Sequence, residues 1–139
     1  MDAIECIMTR RSSGRLVEPA PSAGDLDALL RAAMAGPDHG RLRPWRFVVV
    51  RGPGLERLGE VFAKAHAARE PTVPAAELER TRGKPLRAPL IVAVVSSPSR
   101  ARRCPAGEQV ASAAAAAENL CLAAHALGYG QYRSVSLLC

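Results

Sequence analysis

The stretch EQVASAAAAAENLCLAAHALG, residues 108–128, is apolar around nearly its whole circumference when it is drawn as a helix. At the usual helical pitch it predicts about five turns. A helix without a broad polar face is buried, either in a core or at a contact between subunits. Because a chain of 139 residues offers little else to cover it, we expect a second copy of the chain to help bury it.

Two shorter apolar segments predict buried strands. They are WRFVVVR, residues 45–51, and APLIVAVVSS, residues 88–97. The first is closed by a glycine- and proline-bearing turn. The second is apolar on both of its faces, as is typical of a sheet that helices cover. We therefore expect a mostly buried sheet.

Local patterns assign the rest of the chain. Apolar spacing and capping residues predict helices over residues 2–8, 22–36 and 55–69. The polar, proline-bearing stretch 70–87 predicts a loop with some helix, and residues 128–138 predict a final strand. The order α-α-β-α-β-α-β fits one domain of class α/β or α+β over residues 1–139.

The charge balance favours anionic partners. Lysine plus arginine number 19 against 13 acidic residues, so the net charge is +6. Such a balance suits nucleic acid, phosphorylated cofactors or acidic surfaces alike. The run RARR, residues 100–103, keeps nucleic-acid binding open as a minor alternative. Aromatic residues make up only 4% of the chain, and without aromatic platforms or a recognition motif we expect no nucleic-acid partner.

The cysteines predict a reducing compartment. They stand at positions 6, 104, 121 and 139, without C-x-x-C spacing and without a metal-binding pattern from the histidines. The N-terminus MDAIECIMTRR places acids before its arginines and has only a short apolar segment, so it does not predict a secretory signal. We expect a cytoplasmic protein with no metal site and no membrane partner.

Three segments carry the polar side chains that chemistry needs. TRRSSGR (9–15) gathers arginines and hydroxyls, AGPDHGRLRPWRF (35–47) is a basic loop before a strand, and GYGQYRS (128–134) follows the long helix. Arginines with hydroxyls suit a phosphate site, but cations also suit the last turn of a helix. Taken alone, His39 fits a turn histidine and Trp45 fits a core residue. Composition leaves both interpretations open.

Four motifs in a fixed order carry a family resemblance. They are RRSSGR (10–15), GPDHGRLRPWRFVVV (36–50), RAPLIVAVV (87–95) and an alanine-rich helix that ends in GYG…YRS (128–134). This order resembles the FMN-dependent nitroreductase family, and within it the small, single-domain branch. The resemblance implies an α+β fold with a mostly antiparallel central sheet flanked by helices. It also implies a homodimer with FMN and the long buried helix at the interface.

The resemblance also assigns residues and chemistry. It implies FMN contacts from Arg10, Arg11 and Ser12 to the phosphate and ribityl groups, from His39 to the flavin, and from a C-terminal set, which is Tyr132, Arg133 and Ser134. Members transfer hydride from NAD(P)H through the flavin to nitroaromatic or quinone-type acceptors. Because the cofactor performs the redox chemistry, we name no catalytic side chain.

The sequence departs from the family pattern at two places, and both bear on the expected flavin binding and dimer formation. Ala35 stands where relatives often carry an arginine, a loss for which Arg41 or Arg43 can substitute. The chain ends soon after YRS, where family members continue, and the spacing within residues 128–134 is one residue short. The resemblance therefore implies an incomplete C-terminal part. Two functions stay open: a working oxidoreductase, or a flavin-binding or dimer-forming remnant with little turnover.

Overall fold

The computed structural model describes residues 1–100 and 104–134. Within them lie α1 (Ala3–Thr9), α2 (Ala23–Met34), β1 (Trp45–Arg51), α3 (Pro53–Arg69), α4 (Ala75–Gly83), β2 (Leu90–Ser96) and α5 (Ala106–Ala126). Short 3₁₀ turns cover His39–Arg41 and Lys84–Arg87. Strands β1 and β2 pair in an antiparallel sheet, so the arrangement is α+β as expected. No helix in the described part of the chain is long and apolar enough to cross a membrane.

The chain divides into two compact units. The first comprises Met1–Ser13, Pro21–Val48 and Val92–Arg133 and holds α1, α2 and α5. The second comprises Gly14–Ala20 and Val49–Ile91, together with Ser134, and holds α3 and α4. The expectation of one domain over residues 1–139 stays a prediction.

Small side chains build the core of the first unit. Ala33 of α2 and Ala116 of α5 are fully buried, and Leu29 is nearly so. After α2 the chain passes so close to α5 that a Cβ on Gly36 would lie 3.1 Å from the backbone nitrogen of Ala116. The Asn119 side chain donates to the Ala32 carbonyl at 3.1 Å. Alanine and glycine at these positions therefore set how closely α2 and α5 approach.

Helix α5 is buried along one face of the single chain. The buried residues are Gln109, Ser112, Ala113, Ala116, Cys121 and Ala124. Val110 and Leu127, in contrast, are about half exposed, at 50% and 46%. The expectation of burial around the whole helix is thus met only in part within one chain, because α1 and α2 cover only part of its circumference.

Helix α1 presents its apolar stripe to solvent. Asp2 caps its first turn by accepting the Glu5 backbone N–H at 2.9 Å. Cys6 is the residue that α1 buries. Ile4, Ile7 and Met8 are 66%, 58% and 69% exposed. Three large apolar side chains on one short helix therefore remain uncovered in the single chain.

Two segments of the predicted element order differ in extent from the structure, since 70–87 contains more helix than the expected loop with some helix. Helix α4 occupies much of the predicted loop 70–87. The Arg82 guanidinium of α4 pairs with Glu60 of α3 at 2.7 Å, which holds the two helices together. It also pairs with Glu79 of its own helix. Of the predicted final strand over 128–138, the described residues contain one parallel bridge, between Ser12 and Gln131. Residues 135–138 lie outside the described part.

We predict that Gly59→Ala destabilises the chain by about 1–3 kcal/mol, as overpacking in a core does. A Cβ on Gly59 of α3 would run into the Arg82 carbonyl oxygen of α4. The free energy of unfolding in urea measures this. The matched control is Gly83→Ala, where the Cβ meets nothing within 4 Å. That change should be neutral or slightly stabilising, and equal losses in the two variants would contradict the prediction.

Candidate functional site

The first predicted site residue, Arg10, lies at the end of α1 and faces α5. Its backbone N–H closes the helix by donating to the Cys6 carbonyl at 3.1 Å. Its Nε lies 3.4 Å from Glu118 Oε1, and its Nη1 donates to Ser12 Oγ at 3.4 Å. The guanidinium is thus held between a carboxylate of α5 and a hydroxyl of its own loop.

A second arginine shares the same carboxylate. Arg133 Nη1 lies 3.8 Å from the other oxygen of Glu118, Oε2. We call Arg10, Glu118 and Arg133 the arginine cluster. One carboxylate between two guanidinium groups leaves a net positive charge at this place. The side chains of Glu118 and Arg133 are 41% and 44% exposed, so an anion can reach the cluster from solvent.

Gln131 joins the two chain segments that carry these arginines. Its backbone bridges to Ser12, and its carbonyl accepts the Ser13 N–H at 3.0 Å. Its side-chain nitrogen donates to the Arg11 carbonyl at 3.1 Å. The remaining amide oxygen, Oε1, is buried and has no hydrogen-bond partner in the described structure. A buried acceptor without a partner costs stability.

The segment that carries Gln131 is anchored to α2. Gly128 ends α5 with φ of 84°, a left-handed conformation that glycine adopts readily. The Tyr129 hydroxyl donates to Asp25 Oδ2 at 2.7 Å. Hydrogen bonds from Ser22 and then Tyr129 hold the pKa of Asp25 below its usual value. The same bond to Asp25, followed by desolvation, raises the pKa of Tyr129.

The other predicted site residues are not brought into the cluster. The Arg11 guanidinium turns back onto the Met8 and Arg10 carbonyls, at 2.9 and 2.8 Å. His39 is exposed in a 3₁₀ turn, and Tyr132 is 52% exposed. Within the described ranges neither of these two side chains bonds to the arginine cluster. Ser134 belongs to the second unit.

The thiol of Cys121 lies buried on α5, near the arginine cluster. Burial raises its pKa, and Glu118 adds to the rise, while Arg10 and Arg133 act in the opposite direction. Because the thiolate is the reactive form of cysteine, a thiol with a raised pKa is inert at neutral pH. Cys121 therefore does not supply the cluster with a nucleophile.

A second polar feature lies in the loop between α2 and β1. A cavity of about 310 Å³ is lined by Met34, Gly36, Asp38, Arg41, Arg43 and Trp45. We call it the Arg41–Arg43 pocket. Asp38 Oδ2 accepts the Arg43 backbone N–H at 2.7 Å. The loop thus gathers two arginines and an aromatic ring around one cavity.

Sequence reasoning missed Glu118 and Gln131. Glu118 gives a local signal, as an acid inside a nearly uninterrupted apolar helix, but that position equally fits a solvated face. Gln131 stands within the segment GYGQYRS that was singled out. Its importance comes from the bridge to Ser12, which joins residues 119 positions apart and leaves no trace in local sequence.

Comparison with known proteins is consistent with these features. The profile of the nitroreductase family matches residues 7–132. YdjA of Escherichia coli (strain K12), whose name places it among the NAD(P)H nitroreductases, is 40% identical over 130 residues. The match spans 94% of this chain and 70% of that protein. A Haemophilus influenzae protein named in the same way is 38% identical over 131 residues, which is 93% of this chain and 70% of that protein.

Solved structures support the same fold. A nitroreductase-like family protein from Bacillus cereus superimposes with a TM-score of 0.76 at 22% identity, over 99% of this chain and 72% of that one. A nitroreductase with bound FMN from Bacteroides fragilis gives a TM-score of 0.68 at 28% identity, over 90% and 65% of the two chains.

The α+β fold, the family profile and the named relatives together define the class of this chain as an oxidoreductase. The chain belongs to the nitroreductase family. The family resemblance stated from the four sequence motifs is confirmed.

We predict that Tyr129→Phe lowers the melting temperature at neutral pH, because it removes the hydrogen bond to Asp25. Since the folded pKa of Asp25 is depressed, the stabilisation is present above the unfolded pKa, about 4. It is lost as the pH falls through the folded pKa. The difference between the two proteins should therefore shrink below about pH 4. Thermal unfolding across pH measures this difference.

The control for that prediction is Tyr132→Phe, the same change three positions later. The Tyr132 side chain is half exposed and makes no hydrogen bond in the described structure. Its loss of hydroxyl should leave the melting temperature unchanged at every pH. A pH-independent effect of Tyr129→Phe would contradict the assignment to Asp25.

Proposed function

We propose that this chain binds FMN at the arginine cluster and transfers electrons from NAD(P)H to nitroaromatic or quinone-type acceptors. One observation carries the proposal. Arg10 and Arg133 share a single carboxylate, that of Glu118, which is partly exposed to solvent. The names of the Escherichia coli and Haemophilus influenzae relatives and the FMN bound to the Bacteroides fragilis protein support it.

The residues present fit a flavin mononucleotide. Its phosphate is a dianion, which guanidinium groups bind through charge-assisted hydrogen bonds. Arg10 and Arg133 would hold it, with the Ser12 hydroxyl as a further donor. The Gln131 oxygen, which has no partner in the described structure, would accept a hydrogen bond from a ribityl hydroxyl or a ring N–H of FMN. From the family resemblance we propose further contacts from Arg11, His39, Tyr132 and Ser134.

The protein's part in the reaction is binding and orientation. FMN, when bound, supplies the two-electron chemistry, as a hydride acceptor toward NAD(P)H and a donor toward the acceptor substrate. Arg10 and Arg133 give the place a positive charge, which favours an anionic ligand. Cys121 stays protonated and takes no part. The reaction therefore needs no side-chain nucleophile.

We also propose that the chain works as a homodimer. Two helices of the first unit carry large, exposed apolar side chains. They are Ile4, Ile7 and Met8 of α1 and Val110 of α5. Such surfaces mark contacts with another protein when they occur together. The cytoplasmic location inferred from the cysteines stays a prediction.

The first experiment is the visible spectrum of the purified protein, mixed with FMN and passed through a desalting column. A retained yellow flavin band supports the cofactor site. A colourless protein overturns it. The rate of NADPH oxidation in the presence of a quinone then distinguishes the two functions that the sequence leaves open. A yellow protein without turnover would be a flavin-binding protein and not a working oxidoreductase.

We predict that Arg10→Ala weakens FMN binding by about 1.5–3 kcal/mol, the range for a hydrogen bond to a charged group. Quenching of flavin fluorescence in a titration measures the affinity. The matched control is Arg31→Ala, because Arg31 is an exposed arginine that pairs with Asp27 on its own helix, at 2.8 Å. An FMN affinity that is the same in the Arg10 variant and the wild type would remove Arg10 from the site.

We predict that Ile7→Glu converts a dimer to a monomer, because it places a charge in the apolar stripe of α1 that the partner would cover. Sedimentation equilibrium measures the mass. Val61→Glu is the control, since Val61 is 50% exposed on α3 of the second unit. A wild-type chain that sediments as a monomer, or an Ile7 variant that stays dimeric, contradicts the proposed interface.

A further inference from the structure

The Arg41–Arg43 pocket, defined above, combines positive charge with an aromatic wall. Its volume of about 310 Å³ suits a single-ring molecule. Trp45, the first residue of β1, lines the cavity and is half-buried. The Met34 side chain at the end of α2 adds a second apolar surface. A flat ring therefore has a surface to stack on.

The guanidinium groups of the two arginines at this pocket have no partner in the described part of the chain. Neither guanidinium makes an ion pair or hydrogen bond to any residue in the ranges 1–100 and 104–134. The one acid that lines the cavity, Asp38, is engaged by the Arg43 backbone N–H at 2.7 Å. Two exposed cations therefore border the cavity, with one carboxylate already bonded to the loop. An anion entering here meets donors that are free to bind it.

Both arginines have backbone φ angles that are unfavourable for residues other than glycine. Arg41 and Arg43 have φ of 53° and 47°, a left-handed region that is unfavourable for residues with a Cβ. The bond from Arg43 to Asp38 supports this conformation on one side. On the other, the Pro44 carbonyl accepts the Ser97 N–H at 2.8 Å, next to the sheet. Strained residues that the surrounding structure holds in place are concentrated at ligand sites.

We propose that the Arg41–Arg43 pocket binds aromatic molecules that carry an anionic group, a carboxylate or sulfonate, and so selects anionic acceptors. The ring stacks against Trp45 and the anion binds Arg41 and Arg43. That the bound molecule is an electron acceptor depends on the proposed function. Binding itself does not, and can be measured without flavin or NAD(P)H.

The test uses Trp45, the one tryptophan of the chain, as its own probe. Its fluorescence is titrated with 4-nitrobenzoate and with 4-nitrobenzyl alcohol, which has the same ring and nitro group but no charge. We expect 4-nitrobenzoate to bind at least about tenfold more tightly, which corresponds to about 1.4 kcal/mol. The preference should fall with added salt, because exposed charges are screened. Equal affinities for the two compounds would overturn the proposal.

Substitutions of single arginines test whether the positive charge that binds the anion lies at this pocket. Arg41→Gln and Arg43→Gln should each reduce the preference for 4-nitrobenzoate, while binding of the neutral compound stays the same. Arg46→Gln is the matched control, since Arg46 is exposed on β1 next to Trp45 and does not line the cavity. Equal losses in all three variants would mean that net charge, and not the pocket, attracts the anion.

A competition arm separates the acceptor from the cofactor. FMN is added in steps up to saturation. If the binding of 4-nitrobenzoate falls in step with the fraction of protein that binds FMN, the pocket is the site of the flavin phosphate and the proposal fails. If the preference persists with FMN present, the proposal stands. A colourless protein that still prefers 4-nitrobenzoate would contradict the proposed flavin function alone, so the two failures are distinguishable. In the loaded enzyme, kcat/KM should follow the same order of preference.

Discussion

The close approach between the end of α2 and the middle of α5 is the constraint on which the first unit depends. A side chain on Gly36 would meet the backbone of Ala116, so the helices are separated by little more than their own backbones. This contact determines where the following loop starts, and therefore where Arg41 and Arg43 lie. It also fixes the rotation of α5, which places Glu118, two residues along, toward the end of α1. Both polar features of the unit thus depend on small residues in its core.

The two features use arginine in different ways. In the arginine cluster, Glu118 holds Arg10 and Arg133 near each other, so their repulsion is offset before a ligand arrives. This preorganisation reduces the entropy lost when an anion binds. At the Arg41–Arg43 pocket, backbone strain and the Asp38 bond position the loop, and the guanidinium groups have no partner among the described residues. This difference agrees with the two proposals, a resident cofactor at the first place and an exchanging molecule at the second.

Most elements could be predicted because their signals are local. Strand β1 matches its predicted bounds, and Asp2 and Ser22 cap α1 and α2 as expected. Helix α4 was expected as part of a loop because it is polar and preceded by proline. Contacts with α3 stabilise it, among them the pairing of Arg82 with Glu60, and such contacts between helices cannot be read from the spacing of apolar residues. The exposure of Ile4 and Ile7 could not be predicted either, because the spacing of apolar residues defines an apolar face of the helix but not what covers that face.

For the site, the sequence by itself determined the family, and it indicated the arginine-rich segments as candidates for binding an anionic ligand. These follow from residue types and their order, which are local properties. Only the tertiary structure decided that Arg10 and Arg133 meet across Glu118, and that Gln131 bridges to Ser12 with a buried oxygen left over. The physical reason is distance along the chain. A hydrogen bond or ion pair between residues more than a hundred positions apart depends on how α1 and α5 pack, and the packing of two helices is a property of the whole unit.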